Sequence, residues 1–175
     1  MYIKLSLIKK IKPIIFIILI IPAFYWFIKL YLGKMGVNPI DQTIRELGEL
    51  SLRLLILTLF ITSLSQIKGF ESIKYIRRMI GLFVFFYICL HLISYVVLDH
   101  YFNWNFIFKD IYKRPFITLG FLSFLFTIPL AVTSNNISIR KLTYPVWNKI
   151  HMLIYLIAPL AGLHYFMLAK ADKSK

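Results

Sequence analysis

The chain has 175 residues, is 59% hydrophobic and 17% aromatic, and has a mean hydropathy of +0.75. A soluble domain is about half apolar, and long apolar runs without period-two alternation exclude a β-barrel, so the composition points to an all-α integral membrane protein. The net charge of +14 does not call for a nucleic-acid partner, because the Lys and Arg sit in short loops and ends, where membrane topology places them.

The apolar runs predict a bundle of five transmembrane helices in one domain, each close to the ~20 residues that a bilayer requires. The first covers residues 13–32, after Lys4, Lys9, Lys10 and Lys12, with Tyr25, Trp26 and Tyr31 as aromatics at its far interface. A charged n-region precedes it, as in a signal peptide. The apolar part is too long for one and no A-x-A site follows, so it reads as an uncleaved helix. The second span covers 47–67 and contains Arg53; the third covers 79–98 and contains His91. An aromatic, nearly charge-balanced loop leads to the fourth, 116–133, and the fifth covers 147–168 with His151 and His164. The polar tail after Leu168 is too short to cross again. Cations are densest at the N-terminal end, around Lys68–Arg78 and around Arg140–Lys149, which places the N-terminus on the cytoplasmic side. No internal repeat is evident.

The histidines carry the chemistry. A polar imidazole in hydrocarbon needs a partner. His91 lies thirteen residues past Arg78 and His164 fifteen past Lys149. On two spans running the same way, they are at nearly the same depth in the outer half. Two facing imidazoles at one depth fit a flat cofactor whose iron takes two axial nitrogens, a haem b suited to electron transfer. Zinc normally requires three or four ligands, and no carboxylate lies at that depth in these spans. His151 is near the inner surface, ~20 Å from His164 along the helix. It has no matching histidine on the third span. A second haem, or a flavin or quinone site, is its functional reading, and an interfacial histidine beside Trp147 the structural one. Thirteen residues put His151 and His164 roughly 140° apart on a straight helix, so a kink at Pro159, near Ala158, Ala161 and Gly162, is expected to alter their relation. Arg53 and Arg114 are the cations placed to meet haem propionates. His100 is left outside any site, and Cys89, the single cysteine, reads as a small packed residue.

RRMIGLFVFFYICLHLISY, KRPFITLGFLS, PLAVTSNN and WNKIHMLIYLIAPLAGLHYF resemble the haem-binding membrane subunit of bacterial periplasmic methionine sulfoxide reductase systems, the MsrQ (YedZ) family of the ferric reductase-like transmembrane group. The resemblance covers roughly residues 48–170 and leaves the haem-binding core, 47–168, intact. It implies a multi-pass protein of the bacterial inner membrane, associated with haem b and FMN. Such a subunit takes electrons from the quinone pool or a cytosolic flavin reductase. It passes them to a periplasmic molybdopterin-containing reductase that repairs methionine sulfoxide in envelope proteins. It is an electron-transfer subunit and not the catalytic one. The family's histidines carry over to His91, His151 and His164, and not to His100. Members usually continue into a sixth helix, whereas this sequence stops at Lys175. Two other classes compete: a ferric or quinone reductase acting on a small molecule, and a non-redox membrane scaffold. No G-x-G-x-x-G follows a strand, so NAD(P)H would act through another protein.

Overall fold

A computed structural model describes residues 4–173, and every regular element among them is helical. The helices are α1 (Leu5–Tyr31), α2 (Pro39–Leu64), α3 (Lys74–Ile93), α4 (Trp104–Lys113), α5 (Pro115–Val132), α6 (Asn136–Leu142), α7 (Tyr144–His151) and α8 (Ile154–Lys173). Among the described residues, five helical stretches are long and apolar enough to cross a membrane: Leu5–Tyr31, Pro39–Leu64, Glu71–Asp99, Pro115–Val132 and Tyr144–Ala171. The protein is therefore an all-α, multi-pass membrane protein. The end of the polar tail, Ser174 and Lys175, lies outside the described residues. The chain divides into two compact units, one up to Asp99 and one from His100 onward.

In the first unit α2 packs along α3, and α1 against α3. The buried positions of α2 are Thr43, Leu47, Ser51, Leu54, Leu55, Thr58 and Ile61, and those of α3 are Ile76, Ile80, Phe83, Val84 and Tyr87. Both sets recur at i, i+3, i+4 and i+7, which is one stripe of an α-helix. The opposite faces expose Ile56, Leu57, Phe60 and Leu82, the surface that lipid covers. Tyr87 is fully buried and its hydroxyl donates to Leu19 O on α1. Its ring meets Phe86 and Trp26 edge-on, and Trp26 Nε1 in turn donates to Glu46 on α2. Burying a tyrosine in a bilayer requires such a partner for its hydroxyl.

Helix α2 begins at Pro39, ahead of the apolar run that starts at Leu47. Its first turns are polar, but Asn38 accepts from Asp41 N at 3.3 Å and Pro39 takes the first helical position, a strong start signal. Gly33 closes α1 with φ +62, the left-handed conformation that ends many helices. A π-helical turn, Ser94–Asp99, extends α3.

In the second unit α5 packs along α8, and α4 against α5. The stretch expected as an aromatic loop folds into α4, because Asn103 caps it by accepting from Phe106 N at 3.2 Å and its turn buries Ile107 and Asp110. Asn135 caps α6 in the same way, accepting from Ser138 N at 2.7 Å. Thr143, between α6 and α7, has φ 62, which is strained for a β-branched residue. The last apolar stretch is not one helix. It breaks at Met152 and Leu153, where the bonds tighten to Leu153 N→Ile150 O and Tyr155 N→Met152 O. Pro159 lies inside α8.

Candidate functional site

His91 sits half-buried near the end of α3, and its Nδ1 is 2.8 Å from the backbone oxygen of Ile44 on α2. A carbonyl oxygen only accepts, so the bond assigns the proton to Nδ1 and the lone pair to Nε2. The ring lies over Gly48: a Cβ built there would be 3.1 Å from both Cε1 and Nδ1 of His91.

His164, on α8, repeats this arrangement in the other unit. Its Nδ1 is 2.6 Å from the backbone oxygen of Phe116 on α5. The ring lies over Gly120, where a Cβ would be 2.8 Å from Nδ1 and 2.9 Å from Cε1. In each case the glycine stands four residues after the carbonyl. The reason is helical geometry. The Cα–Cβ bond points toward the helix N-terminus, so the side chain at i+4 covers the carbonyl at i. That carbonyl already accepts the i+4 N–H within the helix and keeps a second lone pair. Glycine uncovers it for the imidazole.

His151 is held otherwise. Thr133 Oγ1 donates its one proton to Pro129 O at 2.6 Å, so it accepts from His151 Nε2 at 3.0 Å. The proton is then on Nε2, the reverse of the other two rings. Trp147 stacks on the ring with centroids 3.9 Å apart and donates its Nε1–H to Thr133 O at 2.9 Å.

Each arginine pairs with a carboxylate four residues before it, Arg53 within α2 and Arg114 from the junction of α4 and α5. Arg53 meets Glu49 at 2.8 Å with its side chain 74% exposed. Arg114, at the start of α5, meets the buried carboxylate of Asp110 at 3.0 Å. His100 also approaches Asp110, at 3.8 Å, and packs on Phe106. Cys89 is half-buried on α3.

Among the described residues, no group of three or more His, Cys, Asp or Glu is placed to hold a metal ion. Haem does not need one. An axial imidazole is a neutral ring that presents one nitrogen to iron while a backbone carbonyl holds the other N–H. His91 and His164 are set up in that form, and the residues present fit the group.

The glycine seats were missed in the sequence, yet a signal for them exists. Leu47-Gly48-Glu49-Leu50-Ser51 and Leu119-Gly120-Phe121-Leu122-Ser123 are a short internal repeat, Leu-Gly-x-Leu-Ser. Leu90-His91 and Leu163-His164 close the matching stretches on α3 and α8.

The family model of the ferric reductase like transmembrane component matches residues 47–162. The chain is similar to the protein-methionine-sulfoxide reductase heme-binding subunit MsrQ of Caulobacter vibrioides, 51% identical over 142 residues, 81% of this chain and 68% of that one. It is 40% identical to the MsrQ of Rhodospirillum rubrum over 161 residues, 92% of this chain and 77% of that one. It also resembles a segment of the magnetosome protein MamZ of Magnetospirillum gryphiswaldense, 37% identical over 94% of this chain and 26% of that protein. No solved structure matches the chain.

Proposed function

Because the chain belongs to the ferric reductase-like transmembrane family, and within it to the MsrQ haem-binding subunits, we propose that it is a b-type haem electron-transfer subunit. His91 and His164 are the residues that would hold the haem. The observation that carries this reading is the shared setting of the two rings, each with Nδ1–H given to a helix carbonyl and the lone pair on Nε2. A bis-imidazole haem, when bound, supplies one-electron transfer without an open position for oxygen chemistry. The chain's own part is to keep both imidazoles neutral and oriented inside hydrocarbon.

His151 acts toward the cytoplasmic side in this reading, on the Lys and Arg pattern that also places the N-terminus there. Its proton arrangement supports a role other than a matching Nε2 ligand: a contact for the entering electron donor, or for a second haem. Quinol or a cytosolic flavin reductase is the donor. The acceptor is a periplasmic molybdopterin-containing reductase of methionine sulfoxide, and the location is the bacterial inner membrane. FMN is expected with the subunit on the family resemblance, and its fluorescence can be assayed in the same preparation. Arg53 and Arg114 would meet the haem propionates, exchanging their present carboxylate partners for them.

The test is the optical and paramagnetic-resonance spectrum of protein purified with ample haem. His91→Ala and His164→Ala should each abolish the reduced low-spin band, and free imidazole should restore it in the corresponding glycine variants. His151→Ala should keep that band. A wild-type preparation without haem absorbance would overturn the reading. Electron delivery to ferric chelates in place of a methionine sulfoxide reductase would redirect it to a small-molecule reductase.

A further inference from the structure

We propose that Gly48 and Gly120 are positioning residues that fix the tautomer, orientation and donor strength of His91 and His164. They do so by uncovering the backbone oxygens of Ile44 and Phe116. The inference rests on the reading of these histidines as haem ligands, and concerns what sets their properties.

The geometry is selective. A methyl group at Gly120 would lie 2.8 Å from His164 Nδ1, 2.9 Å from Cε1 and 3.2 Å from Cγ. At Gly48 it would lie 3.1 Å from His91 Nδ1 and Cε1. Carbon atoms do not pack stably that close. The ring has to lift from the helix, and the Nδ1–H bond lengthens with it. At Gly81, on α3, the nearest atom to a Cβ is Thr58 Cγ2 at 3.9 Å, an ordinary contact. Helical glycine as such is not what matters; the glycine under the ring is.

The two seats have one construction. Each bond spans nearly the same stretch of chain, 47 residues from Ile44 to His91 and 48 from Phe116 to His164. Each glycine is followed three residues on by a buried serine, Ser51 or Ser123. A helix interior disfavours glycine by about 1 kcal/mol relative to alanine, so its place at both seats needs a compensating role, and access to the carbonyl supplies it. A strong Nδ1–H···O=C bond pushes electron density onto Nε2 and raises its basicity toward iron. A basic axial pair favours the ferric state, so weakening the bond should raise the haem midpoint potential.

The test uses the full-length membrane protein titrated with hemin in detergent, comparing wild type with Gly48→Ala, Gly120→Ala and Gly81→Ala. Loss of such a supporting hydrogen bond lowers metal affinity about 10- to 100-fold. Haem affinity should fall by that range in Gly48→Ala and further in Gly120→Ala, where the clash is closer. Haem that remains bound should show an upward shift in midpoint potential and altered low-spin g-values. Gly81→Ala should match wild type in all three. Gly48→Ala and Gly120→Ala with wild-type g-values and potential overturn the inference, while loss of the band in His91→Ala and His164→Ala keeps the haem reading. Retention of the band in those histidine variants sinks both. If the alanine variants do not accumulate, nitrogen-15 histidine labelling of the ferrous wild type decides. Nδ1 of both rings should carry a bonded proton that exchanges slowly with solvent, and an unprotonated or rapidly exchanging Nδ1 overturns the inference.

Discussion

The two units seat a histidine in the same way and stabilise the seat differently. Around His91 the support is packing. Tyr87 is fully buried one turn below it, Phe83, Phe86 and Trp26 surround Tyr87, and Ser51 only bonds back to its own helix, Oγ to Gly48 O at 2.7 Å. Among the described residues of the second unit the buried apolar set is small, with Ile157 on α8 and Ile107 on α4. Hydrogen bonds take over: Ser123 Oγ reaches across to Ile157 O at 3.3 Å, and Thr118 donates to Ile111 O. In lipid, where apolar contact is no longer a driving force, both packing and interhelical hydrogen bonds hold helices together. The seat is thus a property of a helix pair with a glycine under the ring, and does not depend on one kind of core. The units also differ thirteen residues before the ring, where the first has Arg78 and the second His151. Only the second unit carries another imidazole on the histidine-bearing stretch.

The comparison is broken most severely at Tyr87. Tyr87→Ala removes a buried aromatic and should cost about 3–5 kcal/mol. Hydrogen exchange should speed up along α2 and α3, with α5 and α8 keeping their protection; uniform loss would show that the two supports are not separate. Arg114→Gln deprives the buried Asp110 of its guanidinium and should cost about 1–3 kcal/mol, read as a lower thermal midpoint. Thr133→Val removes the acceptor for His151 Nε2 and should cost about 1 kcal/mol. Nitrogen-15 spectra should then show His151 alone changing its protonation pattern, and a change at His164 would deny their independence. Arg53→Gln breaks an exposed i,i+4 pair and should change stability by no more than about 0.5 kcal/mol. If Arg53 serves a propionate, this stable variant should still show a lower haem midpoint potential, because a cation beside haem favours the reduced form.

Much of the fold is legible in the chain because lipid imposes long apolar runs and loops that gather cations. Hence the helices that carry His91 and His164 are readable from composition, and the residue counts from Arg78 and Lys149 are what pair the two histidines in the sequence. What is not legible has local causes. The start of α2 is hidden because Asp41, Gln42, Arg45 and Glu46 interrupt the apolar pattern, while the cap at Asn38 decides the matter. Helix α4 alternates aromatic and polar residues too closely for a span and is set by Asn103. The turn in the last stretch falls at Met152 and Leu153, where no glycine or proline marks it, whereas the residue that signals a kink in the sequence is Pro159, inside α8. The seats themselves are concealed because a helical glycine ordinarily signals close packing of helices, and only the repeated Leu-Gly-x-Leu-Ser marks these two as equivalent.

The turn at Met152 and Leu153 has a consequence for how the chain tolerates change. Within α8 the number of residues from Ile154 to His164 is a fixed gauge: one residue added there would swing His164 by ~100° about the helix axis and carry it off Gly120. The same addition at the turn falls between two helices, in a segment whose bonds are already irregular, and can be taken up without rotating either one. Length variants in this stretch should therefore survive selection for haem retention at 152–153 and not at 155–163. Such a pattern would mark the turn as the joint that lets His151 and His164 be adjusted separately.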